Sequence, residues 1–157
     1  MKPIIVLKIG TSTLTAGTDT ISRGKIEDIS RQILELKKEY NVILVSSGAI
    51  ATARQFIKLN NVKKTIKNKS ALSAIGQPKL MQIYIEVFND FGLSAAQCLL
   101  THYDLKGPDS RLNTKNTILD LLKHDYIPII NENDTVAVEE IILGDNDKLS
   151  AMVAELV

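Results

Sequence analysis

The chain has 157 residues, with 45% hydrophobic and 24% charged side chains and a formal net charge of +1. That is the length of one domain, enough to bury about two-thirds of the surface of the unfolded chain, and the near-neutral charge excludes bulk adhesion to nucleic acid or to a membrane surface. Aromatic residues at 4%, no Trp and a single cysteine exclude an intrachain disulfide and predict an aliphatic core of the kind that suits a parallel sheet.

Near the N-terminus only residues 4–7 form an apolar core, and nowhere do 18 apolar residues run together. The expectation is therefore a cytoplasmic protein with neither a cleaved leader nor a membrane span. Charge is unevenly spread: residues 40–85 contain no acid, whereas from Asp120 onward acids dominate and Lys123 and Lys148 are the basic exceptions.

Residues 3–9 are a continuous β-branched and aliphatic run, the pattern of a strand covered on both faces. Lys8 stands at its tip, followed by Gly10, Thr11 and Ser12. Gly10 lets backbone N–H groups approach an anion, and Lys8 can neutralise the oxygens of a phosphoryl group in transfer. Taken alone, the same residues read equally well as a surface lysine at a strand end. Over residues 23–39, Ile26, Ile29, Ile33 and Leu36 recur at helical spacing, with Ser22 placed as N-cap.

A second strand over residues 42–45 turns directly into a helix at Ser46-Ser47-Gly48-Ala49. Small residues and free N–H groups at such a helix start make an anion site. A serine nucleophile at Ser47 fails for want of partners. The elbow needs Gly where Val45 stands, and the available bases, His102 and His124, read as solvated or helix-terminal. Residues 58–69 are polar and basic, either a lid over a site or a solvated face.

The spacing of Leu72, Ile75, Leu80, Ile83, Val87 and Phe91 predicts a helix over residues 70–91, stopped by Gly92. Residues 94–100 form a third strand with Cys98 as a buried, inert thiol, residues 114–124 a helix, and residues 127–130 a fourth strand. That strand empties into Asn131-Glu132-Asn133-Asp134, and a second polar knot, Gly144-Asp145-Asn146-Asp147, follows a short excursion over residues 136–143. A last helix spans residues 147–157, its apolar residues Leu149, Met152, Val153 and Leu156 expected to lie uncovered.

Alternating strands and helices imply a mostly parallel sheet with right-handed crossovers, and such sheets bind ligands beyond the carboxyl ends of their strands. Lys8, the Ser47-Gly48 turn and the two knots are all expected at that edge. The knots' carboxylates can hold either a substrate ammonium or a hydrated magnesium ion. Cationic and anionic recognition in one crevice suits an amino acid together with a phosphate donor.

Lys8-Ile9-Gly10-Thr11-Ser12, Ser46-Ser47-Gly48-Ala49-Ile50-Ala51, Ala74-Ile75-Gly76-Gln77, Leu99-Leu100-Thr101, Asn131-Glu132-Asn133-Asp134 and Gly144-Asp145-Asn146-Asp147 together resemble the amino acid kinase family, in particular its glutamate-phosphorylating members. The motifs keep the family's order along the whole chain. The resemblance implies a three-layer α/β/α sandwich with an open, mostly parallel sheet. It also implies transfer of the ATP γ-phosphoryl group to the side-chain carboxylate of L-glutamate, the step that commits glutamate to proline, with ATP and Mg2+ as cofactors. By the same resemblance, Lys8 contacts the ATP phosphates and stabilises the group in transfer, with Gly10 and Thr11 beside it, and Asp147 orients the catalytic lysines. Ser47, Asp134 and Asn146 match glutamate-binding positions, with Gly48 and Asn131 adjacent; no residue is assigned to a metal. A homo-oligomer and proline as feedback inhibitor belong to what the resemblance implies.

Ala53 departs from the family pattern, which often carries Gly there. The resemblance covers the amino-acid-binding, N-terminal part of the family's kinase domain; the segments that hold the adenine nucleotide in the family are not among these residues, which are read either as a fragment or as a truncated relative that cannot hold ATP alone. Two alternatives stand beside a glutamate kinase: a non-catalytic amino-acid-binding module, and a kinase acting on acetylglutamate, aspartate or carbamate.

Overall fold

The computed structural model describes residues 2–57, 66–137 and 146–157. Among them the chain runs β1 (Ile4–Ile9), α1 (Thr11–Leu14), α2 (Arg23–Leu36), β2 (Asn41–Ser46), α3 (Ala49–Phe56), α4 (Ile66–Asp90), β3 (Ser94–Leu100), α5 (His102–Lys106), α6 (Pro108–Lys123), β4 (Tyr126–Glu132) and α7 (Asn146–Leu156). The strands form one parallel sheet in the order β1-β2-β4-β3.

Strand order decides where the helices go. From β1 to β2 the chain moves one way across the sheet, and from β3 back to β4 it moves the other way. Right-handed crossovers therefore put α2 and α6 on opposite faces. The core divides accordingly. One cluster joins Ile26, Ile29 and Ile33 of α2 to Leu80, Tyr84, Val87 and Phe88 of α4, over Val42, Leu44, Ile127 and Ile129. The other joins Leu105, Ile118, Leu122, Leu149, Val153 and Leu156 to Ile43, Val45 and Ile130. The result is three layers, α/β/α. β1 touches both clusters, through Ile5, Leu7 and Ile9 on one side and Ile4 and Val6 on the other. It is thus covered on both faces as its composition predicts, although an edge position leaves it half-buried.

Local signals account for most element ends. Ser22 caps α2 by accepting a bond from the Lys25 N–H at 3.3 Å. Gly92, at φ +67°, stops the helical run after Asp90. Several elements differ from the sequence reading: α1 was not read, α2 ends at Leu36, β2 and β4 are longer at both ends, and three further differences have clear causes. α6 starts at Pro108 rather than residue 114, because proline at the first helical position lacks only an N–H that would have no partner anyway. The short α5 was not anticipated; a capping box between Thr101 and Asp104 nucleates it. α4 begins at Ile66, so the last residues of the basic 58–69 stretch are helix rather than loop, while residues 58–65 lie outside the described residues. Most of the 136–143 excursion lies outside them too.

The expectation that α7 would be uncovered is overturned. Leu149, Val153 and Leu156 are buried against β1, β2, β4 and α5, with Met152 partly buried beside them, because the sheet face left free by α6 lies directly beneath this helix. No helix among the described residues is long and apolar enough to cross a membrane.

Candidate active site

The parallel register sets the geometry. Lys8 pairs with Val45 and Ile9 with Ser46; Val45 pairs with Ile130, and Asn131 with Leu99. Ser46 and Asn131 thus end neighbouring strands at one level. The next helices after them lie in opposite layers, α3 after β2 and α7 after β4. Adjacent strands whose connections part in this way open a crevice at their carboxyl ends.

Gly48 makes the turn out of β2. Its φ of +109° is a left-handed conformation that favours glycine, and an added Cβ would lie 3.0 Å from Leu14 Cδ1. The turn leaves Ser47 half-buried at the crevice, ahead of the free N–H groups that open α3. Ser46, one residue earlier, is buried and shares a 2.9 Å hydrogen bond with the hydroxyl of Tyr84 on α4. Burial pushes the Tyr84 hydroxyl up to about 12, against a smaller opposing effect of the Ser46 bond.

Opposite this turn stands the first turn of α7. Asn146 donates from Nδ2 to Ser47 Oγ at 2.7 Å and to Asn131 Oδ1 at 3.1 Å. The next residue, Asp147, meets Lys8 in a 2.7 Å ion pair. Three strand ends and one helix start are thereby tied together: β1 through Lys8, β2 through Ser47, β4 through Asn131, and α7 through Asn146 and Asp147. Gly10 caps α1 in extended conformation, and a Cβ there would come within 3.5 Å of Lys8 Nζ, so glycine keeps the lysine head uncovered on that side. Thr11 follows as the exposed first residue of α1.

Asp134 lies on the turn after β4, where Oδ2 accepts a 2.8 Å bond from Ser73 Oγ of α4. Asn131 and Glu132 belong to β4 itself rather than to a loop, and both are buried. Gly144 and Asp145 of the second knot lie outside the described residues. Of the nine residues predicted for the site, Lys8, Ser47, Asn131, Asn146 and Asp147 are joined by direct bonds; Gly10, Thr11 and Gly48 flank them in the chain. Asp134 is held separately, through α4.

Sequence reading gave the supporting side of the site no role: Ser73 went unmentioned, and Gln77 entered only as the end of the Ala74-Ile75-Gly76-Gln77 motif. Ser73 and Gln77 are buried polar residues four apart on α4, and each bonds to one of the crevice residues, Asp134 and Asn131 respectively. Their signal was available: they interrupt the apolar stripe that runs through Leu80 and Tyr84 on the same helix. Neither histidine offers a base. His124 caps the end of α6, exposed, and His102 opens α5, where desolvation, then Lys106 and Lys148, hold its pKa below the usual value. Burial pushes the Cys98 thiol up, away from reactivity.

A doubly wound parallel sheet with a lysine–acid pair and linked amides at its switch point is the arrangement in which open α/β folds place their ligand crevices. The model of the amino acid kinase family matches residues 3–157, and the chain belongs to that family. It is 45% identical over 154 residues to glutamate 5-kinase 2 of Pseudoalteromonas translucida and 47% identical over 157 residues to glutamate 5-kinase of Dehalococcoides mccartyi. Each comparison covers 98% of this chain and 42% of the relative, so the chain spans about two-fifths of the length of these relatives. Among solved structures, a carbamate kinase from Giardia matches with TM-score 0.65 at 14% identity, covering 99% of this chain and 70% of that one. UMP kinase from Ureaplasma parvum matches with TM-score 0.62 at 17% identity, covering 99% and 65%. At such identities the likeness shows the shared fold.

Proposed function

We propose that this chain is the amino-acid-binding, N-terminal part of an ATP-dependent glutamate 5-kinase, which transfers a phosphoryl group to the side-chain carboxylate of L-glutamate. The observation that carries the proposal is the placement of Lys8 against Asp147 at 2.7 Å, beside Asn146 and Ser47. Glutamate carries two carboxylates and an ammonium. Ser47 and the helix start behind it suit the α-carboxylate, and Asp134 suits the ammonium.

The side-chain carboxylate is already an ionised nucleophile, so no general base is needed. What remains for the protein is to position it and to offset the charge that builds up in transfer. Asp147 holds the Lys8 ammonium at one place on the strand tip, which makes it a prearranged charge for the phosphoryl oxygens rather than a mobile one. Gly10 and Thr11 give the phosphates access beside it. Mg2+ accompanying ATP would supply further charge neutralisation, and no residue of this chain is assigned to hold it. The relatives named glutamate 5-kinase support this choice over acetylglutamate, aspartate or carbamate. Self-association and restraint by proline belong to the same reading, and the intracellular supply of ATP and glutamate puts the reaction in the cytoplasm.

Two measurements test it. Calorimetric titration of the chain with L-glutamate should show binding that D-glutamate and L-aspartate do not match. Hydroxamate trapping in protein that also carries the family's nucleotide-binding segments should show ATP-dependent glutamyl phosphate. Binding without turnover would leave an amino-acid-binding module; absence of both would overturn the reading.

A further inference from the structure

Gln77 of α4 supports the site through Asn131, and it is buried within a longer chain of side-chain amides. Asn131 Nδ2 donates to Gln77 Oε1 at 2.9 Å, and Gln77 Nε2 donates to Gln97 Oε1 on β3 at 2.9 Å. On its other side, Asn131 Oδ1 accepts from Asn146 Nδ2, which also donates to Ser47 Oγ. Five side chains from β3, α4, β4, α7 and the β2 turn thus form one line.

The direction of every bond in that line is set at one point. The backbone N–H of Glu132 donates to Asn131 Oδ1 at 2.9 Å, and a backbone N–H can only donate. The oxygen of Asn131 must therefore face Glu132 and Asn146, and its NH2 must face α4. Gln77 then has to present oxygen inward and NH2 outward. On the crevice side, Asn146 spends its NH2 on Asn131 and Ser47, so the Ser47 oxygen is an acceptor towards Asn146. Its one proton is left to point at a ligand oxygen.

We propose that Gln77 is a positioning residue which, by accepting from Asn131, holds the Asn131 amide in the orientation the Glu132 N–H requires and keeps Ser47 a hydrogen-bond donor to the carboxylate of its ligand. Without an acceptor at Gln77, the buried Asn131 NH2 loses its partner on α4; the Glu132 N–H still holds the oxygen, but the amide tilts about that one bond as its NH2 seeks another acceptor. Asn146 loses a well-placed second acceptor as Asn131 tilts and becomes able to turn its own oxygen to Ser47. The Ser47 proton is then drawn into the protein and the ligand meets a lone pair instead. The proposal concerns the substrate contact of the glutamate reading and rests on it for the identity of the ligand.

Two substitutions of Gln77 separate polarity from packing. Gln77→Glu keeps an oxygen towards Asn131 and loses the donor towards Gln97, which is exposed on an edge strand and can turn its own NH2 inward. Gln77→Met conserves volume and removes both bonds. A packing role predicts that the buried carboxylate does more harm than the apolar isostere; the polarity role predicts the reverse at the site.

In ligand-free protein, hydrogen exchange of the Asn146 side-chain NH2, followed by 15N NMR, should accelerate about tenfold in Gln77→Met and stay within about threefold of wild type in Gln77→Glu. L-Glutamate affinity should fall about tenfold in Gln77→Met and less than about threefold in Gln77→Glu. On a Ser47→Ala background, Gln77→Met should weaken binding by less than about twofold, since both changes remove one contact. Unchanged Asn146 exchange in Gln77→Met, additive losses with Ser47→Ala, or greater harm from Gln77→Glu in both readouts would overturn the proposal. If wild type binds no glutamate, the functional reading falls while the exchange arm still decides the role of Gln77.

Discussion

Gly76 of α4 packs directly on the carbonyl of Ala49 in α3: a Cβ at Gly76 would stand 1.7 Å from that oxygen and 2.8 Å from the Ala53 nitrogen. No flexible side chain is there to yield, so the two helices would have to separate. Ala49 follows the Gly48 turn immediately, which links this crossing to the crevice. Gly76→Ala should lower stability by about 3 kcal/mol, at the upper end for overpacking, and weaken glutamate binding as α3 shifts. Urea denaturation checks the first effect; an unaltered midpoint would show that the crossing is looser than described.

Lys8→Ala should lower kcat far more than it raises KM for glutamate in protein competent for turnover. Loss of one prearranged charge at a site of charge build-up costs roughly 10²–10³-fold. Asp147→Asn should be milder, because the lysine remains and loses only its ion pair with Asp147. Steady-state kinetics with both substrates varied would expose a loss confined to KM, which is inconsistent with this role.

Asp134→Asn should mainly raise KM for glutamate and leave KM for ATP alone, since it removes the partner assigned to the ammonium. Ser73→Ala removes the 2.8 Å bond that orients Asp134, and should reproduce the effect in weaker form, roughly three- to tenfold. A rise in KM for ATP without one for glutamate would place Asp134 elsewhere in the reaction.

Tyr84 gives a pH dependence with a definite sign. Its hydroxyl titrates near 10 in the unfolded chain and at about 12 in the fold. The unfolded state therefore releases the proton first as pH rises. The stabilisation is complete below pH ~10 and fades towards ~12, by about 2–3 kcal/mol in all. Tyr84→Phe loses the Ser46 bond at every pH but lacks this titration. Melting curves of the two proteins should converge between pH 10 and 12; parallel curves would contradict the shift.

The apolar runs and helical spacing made the strand-helix alternation legible, and β3 falls at the predicted limits. Short helices held by caps were not legible from periodicity: α5 rests on Thr101 and Asp104, and the start of α6 on Pro108. Within the site, the strand-end residues stood out because polar clusters there break apolar runs. Ser73 and Gln77 did not, because their role is to hold Asp134 and Asn131, and such a role is visible only once α4 is laid over β4. The burial of α7 depended on strand order, which no local pattern encodes.

The bond between Lys8 and Asp147 also sets an order of events during synthesis. Lys8 lies in the first strand and Asp147 at the start of the last helix described, so nearly the whole chain must emerge before the two can meet. Until then one face of β1 awaits α7, and Ser47 and Asn131 lack Asn146. A nascent chain can assemble the α2–α4 layer early, from contacts closer in sequence, but closing so long a loop comes late. Any ligand that bridges these groups would stabilise only the arrangement in which they have met, so that such a ligand would act as a late check on the meeting of Lys8 with Asp147.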